Sequence, residues 1–277
     1  MTRSIKSILL SIAVFTVAAS HAQHKLTRLW ETDTLLNIPE SVLPEKDVMY
    51  VSLIDGEPWG IDGKGEVGKL TRTGKILSTS WITGLNAPKG LARNVDLLYV
   101  ADMSELVVIS ISGNRILNKI KVNGAAGLND VTIAADGTVY VTDTKKNCVF
   151  QVNGGSSIQY LDNLVGANGI KSIGKKLYIL TGDGMNHRYV SESGGKPSKI
   201  CVLEHGGDGI EPIGNGDFLV TAWEGWVYYV HADGTKEVLL DTHTTRRKTA
   251  DIGYDPARRI VYVPTFSGKS VVAYRLN

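Results

Sequence analysis

Six polar side chains recur along the chain and together could bind a cation or a polar ligand. Each occupies the same place in a short turn, and successive members are 49, 40, 39, 40 and 43 residues apart. Carboxylate and amide oxygens suit Ca²⁺, Mg²⁺ or Mn²⁺, whereas Zn²⁺ prefers the His and Cys that no member supplies. Asn and Asp also satisfy turn backbone, which is the alternative explanation. The six are Glu40, Lys89, Asn129, Asn168, Asp208 and Asp251.

A repeating unit of short strands must position these side chains, and its clearest copy begins at residue 127. An apolar strand (131–134) is followed by an Asp-Gly turn and a β-branched strand (138–142), and two more strands follow by residue 161. Asp-Gly between apolar runs is a strong hairpin signal. A hydrophobic anchor recurs 10 or 11 residues after each polar residue. These anchors are Tyr50, Tyr99, Tyr140, Tyr178, Leu219 and Tyr262.

A period near 40 residues with four short strands per repeat predicts an all-β protein, a six-bladed β-propeller of four-stranded antiparallel blades. We expect residues 23–277 to form one domain. The last repeat has only three strands, and an alternating segment (24–34) precedes the first repeat. We therefore expect the N-terminal strand to complete the last blade, which removes exposed sheet edges.

The first 22 residues have the composition of a secretory signal peptide. Arg3 and Lys6 precede an apolar run (8–19), and Ser20-His21-Ala22 offers a cleavage site. The run is shorter than the roughly 20 residues of a membrane-spanning helix. We expect an exported protein, periplasmic or extracellular, with no membrane anchor after cleavage.

The composition of the remaining chain argues against polyanionic partners. Removing Arg3 and Lys6 lowers Lys+Arg from 30 to 28, which equals the 28 Asp+Glu. A neutral chain lacks the excess of basic residues that nucleic-acid or anionic-membrane binding needs. The expected partner is a small-molecule substrate or ligand, and the oligomeric state stays open.

The propeller fold predicts where the six polar residues meet. The residue that opens each innermost strand faces the central axis at one mouth of the channel, so the six should form a ring there. Asp102 and Asp143 end the second strands of blades two and three in the sequences YVAD and YVTD. These two resemble the NHL-type propeller repeat, and Asp143 is a further candidate for substrate contact.

Four of the turns resemble those of the gluconolactonase family that includes regucalcin, whose members are six-bladed propellers. The resemblance implies a divalent-metal site formed by Glu40 in PES, Asn168 in ANG and Asp208 in GDG, and a substrate contact at Asn129 in LND. It covers the chain after the leader. Family lactonases commonly have an Arg where this chain has Gly127.

The resemblance implies a metal-dependent hydrolase that opens a lactone or similar small ester. One divalent cation, Ca²⁺ first, with Mg²⁺ or Mn²⁺ as alternatives and Zn²⁺ less favoured, would polarise the ester carbonyl and activate a water. Asp208 would accept the water proton as catalytic base. Asn129 and Lys89 would orient the substrate. Asp251 would complete the surroundings of the metal or act as the alternative base, and it is also a candidate for substrate contact.

The alternative is a non-catalytic propeller that binds a sugar, peptide or protein at the same mouth. Trp59, Trp223, Trp226 and Phe266 lie in predicted mouth loops and would suit it, although Trp also packs between blades. The direction of Lys89 separates the two classes. A lysine in the metal site would favour binding over hydrolysis. We also expect a mouth loop over residues 185–197, where Ser-Glu-Ser-Gly-Gly interrupts blade four.

Overall fold

The computed structural model describes residues 24–189, 197–245 and 247–277, with side chains omitted over 186–189. The predicted leader, 1–22, lies outside the described residues. Within them the chain is all-β, with 24 strands and one short 3-10 helix, Phe266–Gly268. No helix in these ranges has the length and apolar character needed to cross a membrane.

The strands form six four-stranded antiparallel sheets, one for each predicted blade. Blade one contains β2 (Pro39–Pro44), β3 (Val48–Leu53), β4 (Gly65–Thr71) and β5 (Ile76–Leu85). Blade two contains β6 (Pro88–Asn94), β7 (Leu97–Asp102), β8 (Glu105–Ser110) and β9 (Arg115–Lys121). Blade three contains β10 (Leu128–Ile133), β11 (Val139–Asp143), β12 (Cys148–Asn153) and β13 (Ser156–Leu161). Blade four contains β14 (Ile170–Ile173), β15 (Lys176–Thr181), β16 (Gly184–Tyr189) and β17 (Ser198–Val202).

Blade five contains β18 (Ile210–Gly214), β19 (Asp217–Ala222), β20 (Trp226–Val230) and β21 (Lys236–Asp241). Blade six contains β22 (Gly253–Asp255), β23 (Ile260–Pro264), β24 (Val271–Leu276) and, as its outer strand, β1 (Leu26–Glu31). β1 pairs with β24 in antiparallel register from Leu26–Leu276 to Glu31–Val272. The six-bladed fold and its closure by the N-terminal strand are thus confirmed.

The recurring anchor residues pack between neighbouring blades. Tyr50 of blade one lies in a buried cluster with Leu98 of blade two, and Tyr140 of blade three lies with Leu177 of blade four. Tyr262 of blade six packs against Met49 of blade one, so the same contact also closes the ring. A single blade cannot bury both of its faces, and the apolar contact with the next blade supplies its missing core.

An irregularity in the first strands turns the ring residues toward the axis. In blades one to three the pairing of the first and second strands shifts at Glu40, Lys89 and Asn129. Such bulges re-aim side chains that would otherwise alternate across the sheet. In blades four and five the first strand begins only at Ile170 and Ile210, two residues after the ring residue.

Part of the expected mouth loop of blade four is regular strand. Met185 belongs to β16, where it pairs with Leu180 on one side and Cys201 on the other. The expectation was wrong for this part of the segment, because the apolar Met185 is fully buried between the blades. Residues 190–196 of the expected loop lie outside the described residues.

Candidate functional site

A cavity of about 650 Å³ lies at one mouth of the propeller. Its volume is in the range of sites for small molecules. Five of the six predicted ring residues line it, and they come from blades one to five. The lining consists of Glu40, Glu57, Pro58, Trp59, Lys89, Asn129, Thr144, Asn168, Asp208, Trp223 and Phe266.

Glu40, Asn168 and Asp208 line this cavity, and the first two each have a buried oxygen without a hydrogen-bond partner within the described residues. Glu40 is 4% exposed and Asp208 2% exposed. Asn168 hydrogen-bonds to Asp208, yet its own oxygen Oδ1 and the Glu40 oxygen Oε2 are buried and have no hydrogen-bond partner within the described residues. Leaving buried acceptors unpaired is costly, so such atoms call for an explanation such as a bound ion or water. The donor set therefore fits a hard divalent cation.

The two carboxyl groups of this set have raised pKa values. Burial raises the pKa of Glu40 to about 7, against a lowering effect of Lys89. Burial, and next the charge of Glu40, raise the pKa of Asp208 well above its ordinary value. Two carboxylates that share a dry site repel each other unless a proton or a cation lies between them. A cation bound at both groups would stabilise their ionised forms.

Lys89 points into the ring, beside Glu40. Its Nζ lies 3.6 Å from Glu40 Oε1 and 4.5 Å from the centre of the Trp59 ring. Glu40, Glu57 and Asp208 are the acidic lining residues, and within the described structure only Glu40 has a carboxylate oxygen within 4.0 Å of the Lys89 ammonium. Lys89 therefore sits toward Trp59 and pairs with one Glu40 oxygen, while the other oxygen has no partner among the residues that the structure describes.

Asn129 lies next to this group and is held by Thr144. Its Nδ2 donates to Thr144 Oγ1 over 2.9 Å, and that hydroxyl donates to the Ala167 carbonyl oxygen over 2.7 Å. Because the bond to Thr144 uses the amide nitrogen, the Asn129 carbonyl oxygen is the atom that a ligand can use. Sequence reasoning missed Thr144, which follows Asp143 directly at the end of β11.

Asp143 and Asp251, predicted to contact substrate, do not line the cavity. Asp143 is fully buried, and its carboxylate accepts hydrogen bonds from the amides of Ala126 (2.7 Å), Gly127 (3.1 Å) and Lys146 (2.8 Å). Asp102 in blade two accepts from two backbone amides in the same way. These carboxylates hold the loops that enter blades two and three.

Asp251 joins blade six to blade one behind Glu40. Its Oδ2 accepts a hydrogen bond from Ser41 Oγ over 2.5 Å, and its backbone N–H donates to the Glu40 carbonyl oxygen over 2.9 Å. Burial and the nearby charge of Asp130 raise the pKa of Asp251 well above its ordinary value. The structure thus gives Asp251 contacts that position Glu40.

A second set of buried charged side chains lies next to the ring residues, and the sequence analysis did not predict it. Asp130 accepts hydrogen bonds from the amides of Val131 (2.7 Å) and Ile170 (2.8 Å), and burial raises its pKa to about 6. Lys171 Nζ lies 2.8 Å from Glu211 Oε1. Asp130 follows a ring residue directly, and Lys171 and Glu211 each follow one by three positions. Charged residues therefore recur not only at the six ring positions but also one or three positions after some of them.

Aromatic side chains form the walls of the cavity. Trp223 and Phe266 contact each other edge to face, 5.5 Å between ring centres. Lys145 Nζ lies 4.8 Å from the centre of Trp59, and Lys248 Nζ lies 4.6 Å from that of Trp223. Trp226, by contrast, is not among the lining residues and stacks between His205 and His243.

Comparisons with known proteins show the fold. No protein-family model matches the sequence, and no curated protein sequence matches it. Among solved structures, a candidate gluconolactonase is similar with a TM-score of 0.67 and 16% identity over 93% of each chain. A catalytically inactive form of virginiamycin B lyase from Staphylococcus aureus, solved with quinupristin, has a TM-score of 0.63 and 14% identity over 92% of this chain and all of that one.

An auxiliary nutrient-binding protein from Bacteroides ovatus is also similar. Its TM-score is 0.67 at 12% identity, over 93% of this chain and 78% of that chain. At these identities the likeness extends to the propeller fold alone. The neighbours therefore place this chain among propellers that include both enzymes and binding proteins.

Proposed function

We propose that this protein is a metal-dependent hydrolase that opens a lactone or similar small ester at the propeller mouth. Glu40, Asn168 and Asp208 would hold one divalent cation, with Ca²⁺ first and Mg²⁺ or Mn²⁺ as alternatives. The observation that carries the proposal is the pair of buried, unpaired oxygens, Glu40 Oε2 and Asn168 Oδ1, in one cavity beside Asp208. The similarity of the turns to those of gluconolactonases supports it.

The chain's own residues have distinct roles in this proposal. When bound, the cation would supply Lewis acidity toward the ester carbonyl and lower the pKa of a nearby water. Asp208 would accept the proton of the attacking water, since it is the buried carboxylate next to both other donors. The Asn129 carbonyl oxygen would accept a hydrogen bond from a substrate hydroxyl. Lys89 would donate to a substrate oxygen.

The walls of the cavity indicate the kind of ester. Trp59, Trp223 and Phe266 offer aromatic faces to a ligand, and burial of apolar surface would favour a substrate with an apolar or aromatic part. The ammonium groups of Lys145 and Lys248, at the faces of the two Trp rings, would attract a carboxylate on that substrate. An anionic, partly apolar lactone fits this arrangement better than a fully hydroxylated one.

A second candidate function rests on Lys89. Its Nζ is 3.6 Å from Glu40, so the ammonium already supplies positive charge to one of the proposed metal ligands. In this alternative the mouth binds a sugar, peptide or protein without hydrolysis, and Lys89 replaces the ion. The nutrient-binding protein among the structural neighbours is an example of a binding protein with this fold. The predicted leader supports export to the periplasm or the extracellular space in either case.

Cation binding tests the proposal directly. The chain without its predicted leader, 23–277, is titrated calorimetrically with Ca²⁺, Mg²⁺ and Mn²⁺, beside Glu40→Gln and Asp208→Asn variants. Glu57→Gln is the matched control, because Glu57 lines the same cavity but is exposed on its rim. We expect one cation per chain, with affinity reduced by roughly 100-fold or more in the first two variants and unchanged in the control.

Hydrolysis of a panel of apolar and hydroxylated lactones is then measured with and without the cation. Cation-dependent turnover that Asp208→Asn abolishes would support the hydrolase. Absence of cation binding at millimolar concentration, with a folded protein, would refute the metal-dependent mechanism and leave the binding function.

A further inference from the structure

A second cluster of possible metal ligands lies at the end of the propeller opposite the mouth, where the N-terminal segment of blade six meets blade five. It consists of His24, His231 and Glu237, whose ligand atoms all lie within 4.8 Å of one another. His231 and Glu237 flank the hairpin turn between the third and fourth strands of blade five. His24 lies two residues before β1, the outer strand of blade six. In each blade the first strand starts at the mouth, and the hairpin turn between the third and fourth strands lies at the opposite end.

Both imidazole rings face a single carboxylate oxygen. His24 Nδ1 lies 2.9 Å from Glu237 Oε1, and His231 Nε2 lies 2.8 Å from the same atom. The other carboxylate oxygen, Oε2, accepts the backbone N–H of His24 over 2.8 Å. Glu237 is therefore oriented by its Oε2, and its Oε1 is directed at the two rings.

The surroundings hold the three side chains in place. The His24 ring stacks on Tyr229, with 3.7 Å between ring centres and an angle of 11° between planes. Tyr229 in turn donates a hydrogen bond to Asp217 over 2.7 Å. The backbone of His231 is bonded within its hairpin turn, to Thr235 and Gly234. Contacts of this kind fix ring orientation in metal sites and raise affinity.

We propose that His24, His231 and Glu237 form a transition-metal site, with Zn²⁺ as the expected ion. Two imidazole nitrogens and one carboxylate oxygen are a ligand set that Zn²⁺ uses, with a fourth position left for water. Ligand atoms around a tetrahedral Zn²⁺ are about 3.3 Å apart, given metal–ligand distances of about 2.0–2.1 Å. The observed separations from Oε1 require an outward shift of only a few tenths of an ångström.

A metal ion at this site would stabilise the attachment of the N-terminal strand β1 to the propeller. His24 belongs to the segment that supplies the outer strand of blade six, whereas the other two ligands belong to blade five. An ion bound to all three would hold the start of β1 against blade five and so oppose the detachment of this strand. The side chains are 13–23% exposed, so an ion can enter from solvent. The site differs from the mouth in both ligand type and position.

Zinc titration with site variants tests this inference. The chain 23–277, prepared without a histidine tag, is titrated with Zn²⁺ in the presence of excess Ca²⁺, which occupies the mouth. Co²⁺ is titrated separately, because its visible absorption reports tetrahedral coordination. We expect one Zn²⁺ per chain, at least tenfold weaker binding in His231→Gln and in Glu237→Gln, and loss of the Co²⁺ spectrum in both.

His243→Gln is the matched control, because His243 is also paired with a carboxylate, Asp241, but has no second imidazole beside that carboxylate within the described residues. It should bind Zn²⁺ as the unmodified chain does. Should His231→Gln fail to fold, His24→Gln, which lies before the first strand, gives the same test. Zn²⁺ at a hundredfold excess over its Kd should also raise the unfolding midpoint by roughly 5 °C in the unmodified chain but not in the variants.

Two results would overturn the inference. One is equal Zn²⁺ affinity in the unmodified chain, His231→Gln and Glu237→Gln. The other is Zn²⁺ binding that Glu40→Gln removes and His231→Gln leaves intact, because the ion would then bind at the mouth. Failure of the proposed hydrolase would leave this test intact, because the loss of Zn²⁺ binding in His231→Gln and Glu237→Gln does not require a catalytic cation at the mouth.

Discussion

Replacing Lys89 by Met separates the two functions proposed for the mouth. The ammonium lies 3.6 Å from Glu40 Oε1 with both side chains nearly fully buried, and Met has a similar length without the charge. Two unit charges about 4 Å apart interact by about 4 kcal/mol at an effective dielectric constant of 20. Lys89→Met removes that attraction from Glu40. The oxygen Oε1, which pairs with the ammonium in the unmodified chain, then becomes available to a cation together with Oε2.

For a hydrolase with a cation at Glu40, this substitution should strengthen cation binding. The ion no longer competes with an ammonium for the same carboxylate. Recovery of about one third of 4 kcal/mol corresponds to a tenfold lower Kd for Ca²⁺, because 1.4 kcal/mol is a factor of ten. Turnover of an anionic lactone should fall mainly through a higher KM, since Lys89 would otherwise contact the substrate.

The assay is calorimetric Ca²⁺ titration at pH 8, above the pKa of about 7 that burial gives Glu40. Lys145→Met is the control, because Lys145 lies near the same Trp59 ring at 4.8 Å and is more exposed. Its Kd for Ca²⁺ should change less than twofold. A Kd for Ca²⁺ that is unchanged or larger in Lys89→Met would refute the competition and favour the view that Lys89 stands in for the ion.

Three further predictions concern pH, a loop and the contact between blades. In the folded protein the pKa of Glu40 is about 7, above its ordinary 4.5. Because the unfolded chain loses this proton first, the free energy of unfolding without cation should fall by on the order of 3 kcal/mol as the pH rises from 4.5 to 7. Chemical unfolding at each pH measures this fall, which should be smaller with excess Ca²⁺. Asp143→Ala should lower the free energy of unfolding by about 2 kcal/mol, because three backbone amides lose their acceptor, while KM for a lactone that the chain hydrolyses stays within twofold. Gly169→Ala should destabilise the fold by about 1–3 kcal/mol and weaken Ca²⁺ binding, because its Cβ would lie 2.3 Å from the Asp208 carbonyl oxygen. Gly182→Ala, whose nearest neighbour would be at 3.5 Å, should do neither in the same unfolding and titration experiments.

The blade count and the ring of polar residues could be predicted from the sequence because both depend on period. An anchor such as Tyr140 recurs at a fixed distance from its turn, since each blade must bury it against the next. The closure by β1 followed from counting strands in the last repeat. These features are local in sequence or repeated along it, so a single chain reveals them.

The roles of individual acids could not be read from the sequence, because they depend on partners that the fold brings close. Asp143 has the same residue type as Asp208, but backbone amides of the preceding loop occupy its carboxylate. Asp251 is bonded to Ser41, 210 positions away. Only the unpaired acceptors of Glu40 and Asn168 distinguish a binding side chain from a structural one.

The charge balance of the mouth and of the buried charged side chains next to the ring residues favours a bound cation over the lysine as the sole source of positive charge. Two ammonium groups face five carboxyl groups, which leaves three excess negative charges if every group is ionised. Burial raises the pKa of all five carboxyl groups and so disfavours their ionised forms. A divalent cation would offset two of the three charges and give the unpaired oxygens a partner, whereas Lys89 already contributes its charge and leaves them unpaired. The groups counted are Glu40, Asp130, Asp208, Glu211, Asp251, Lys89 and Lys171.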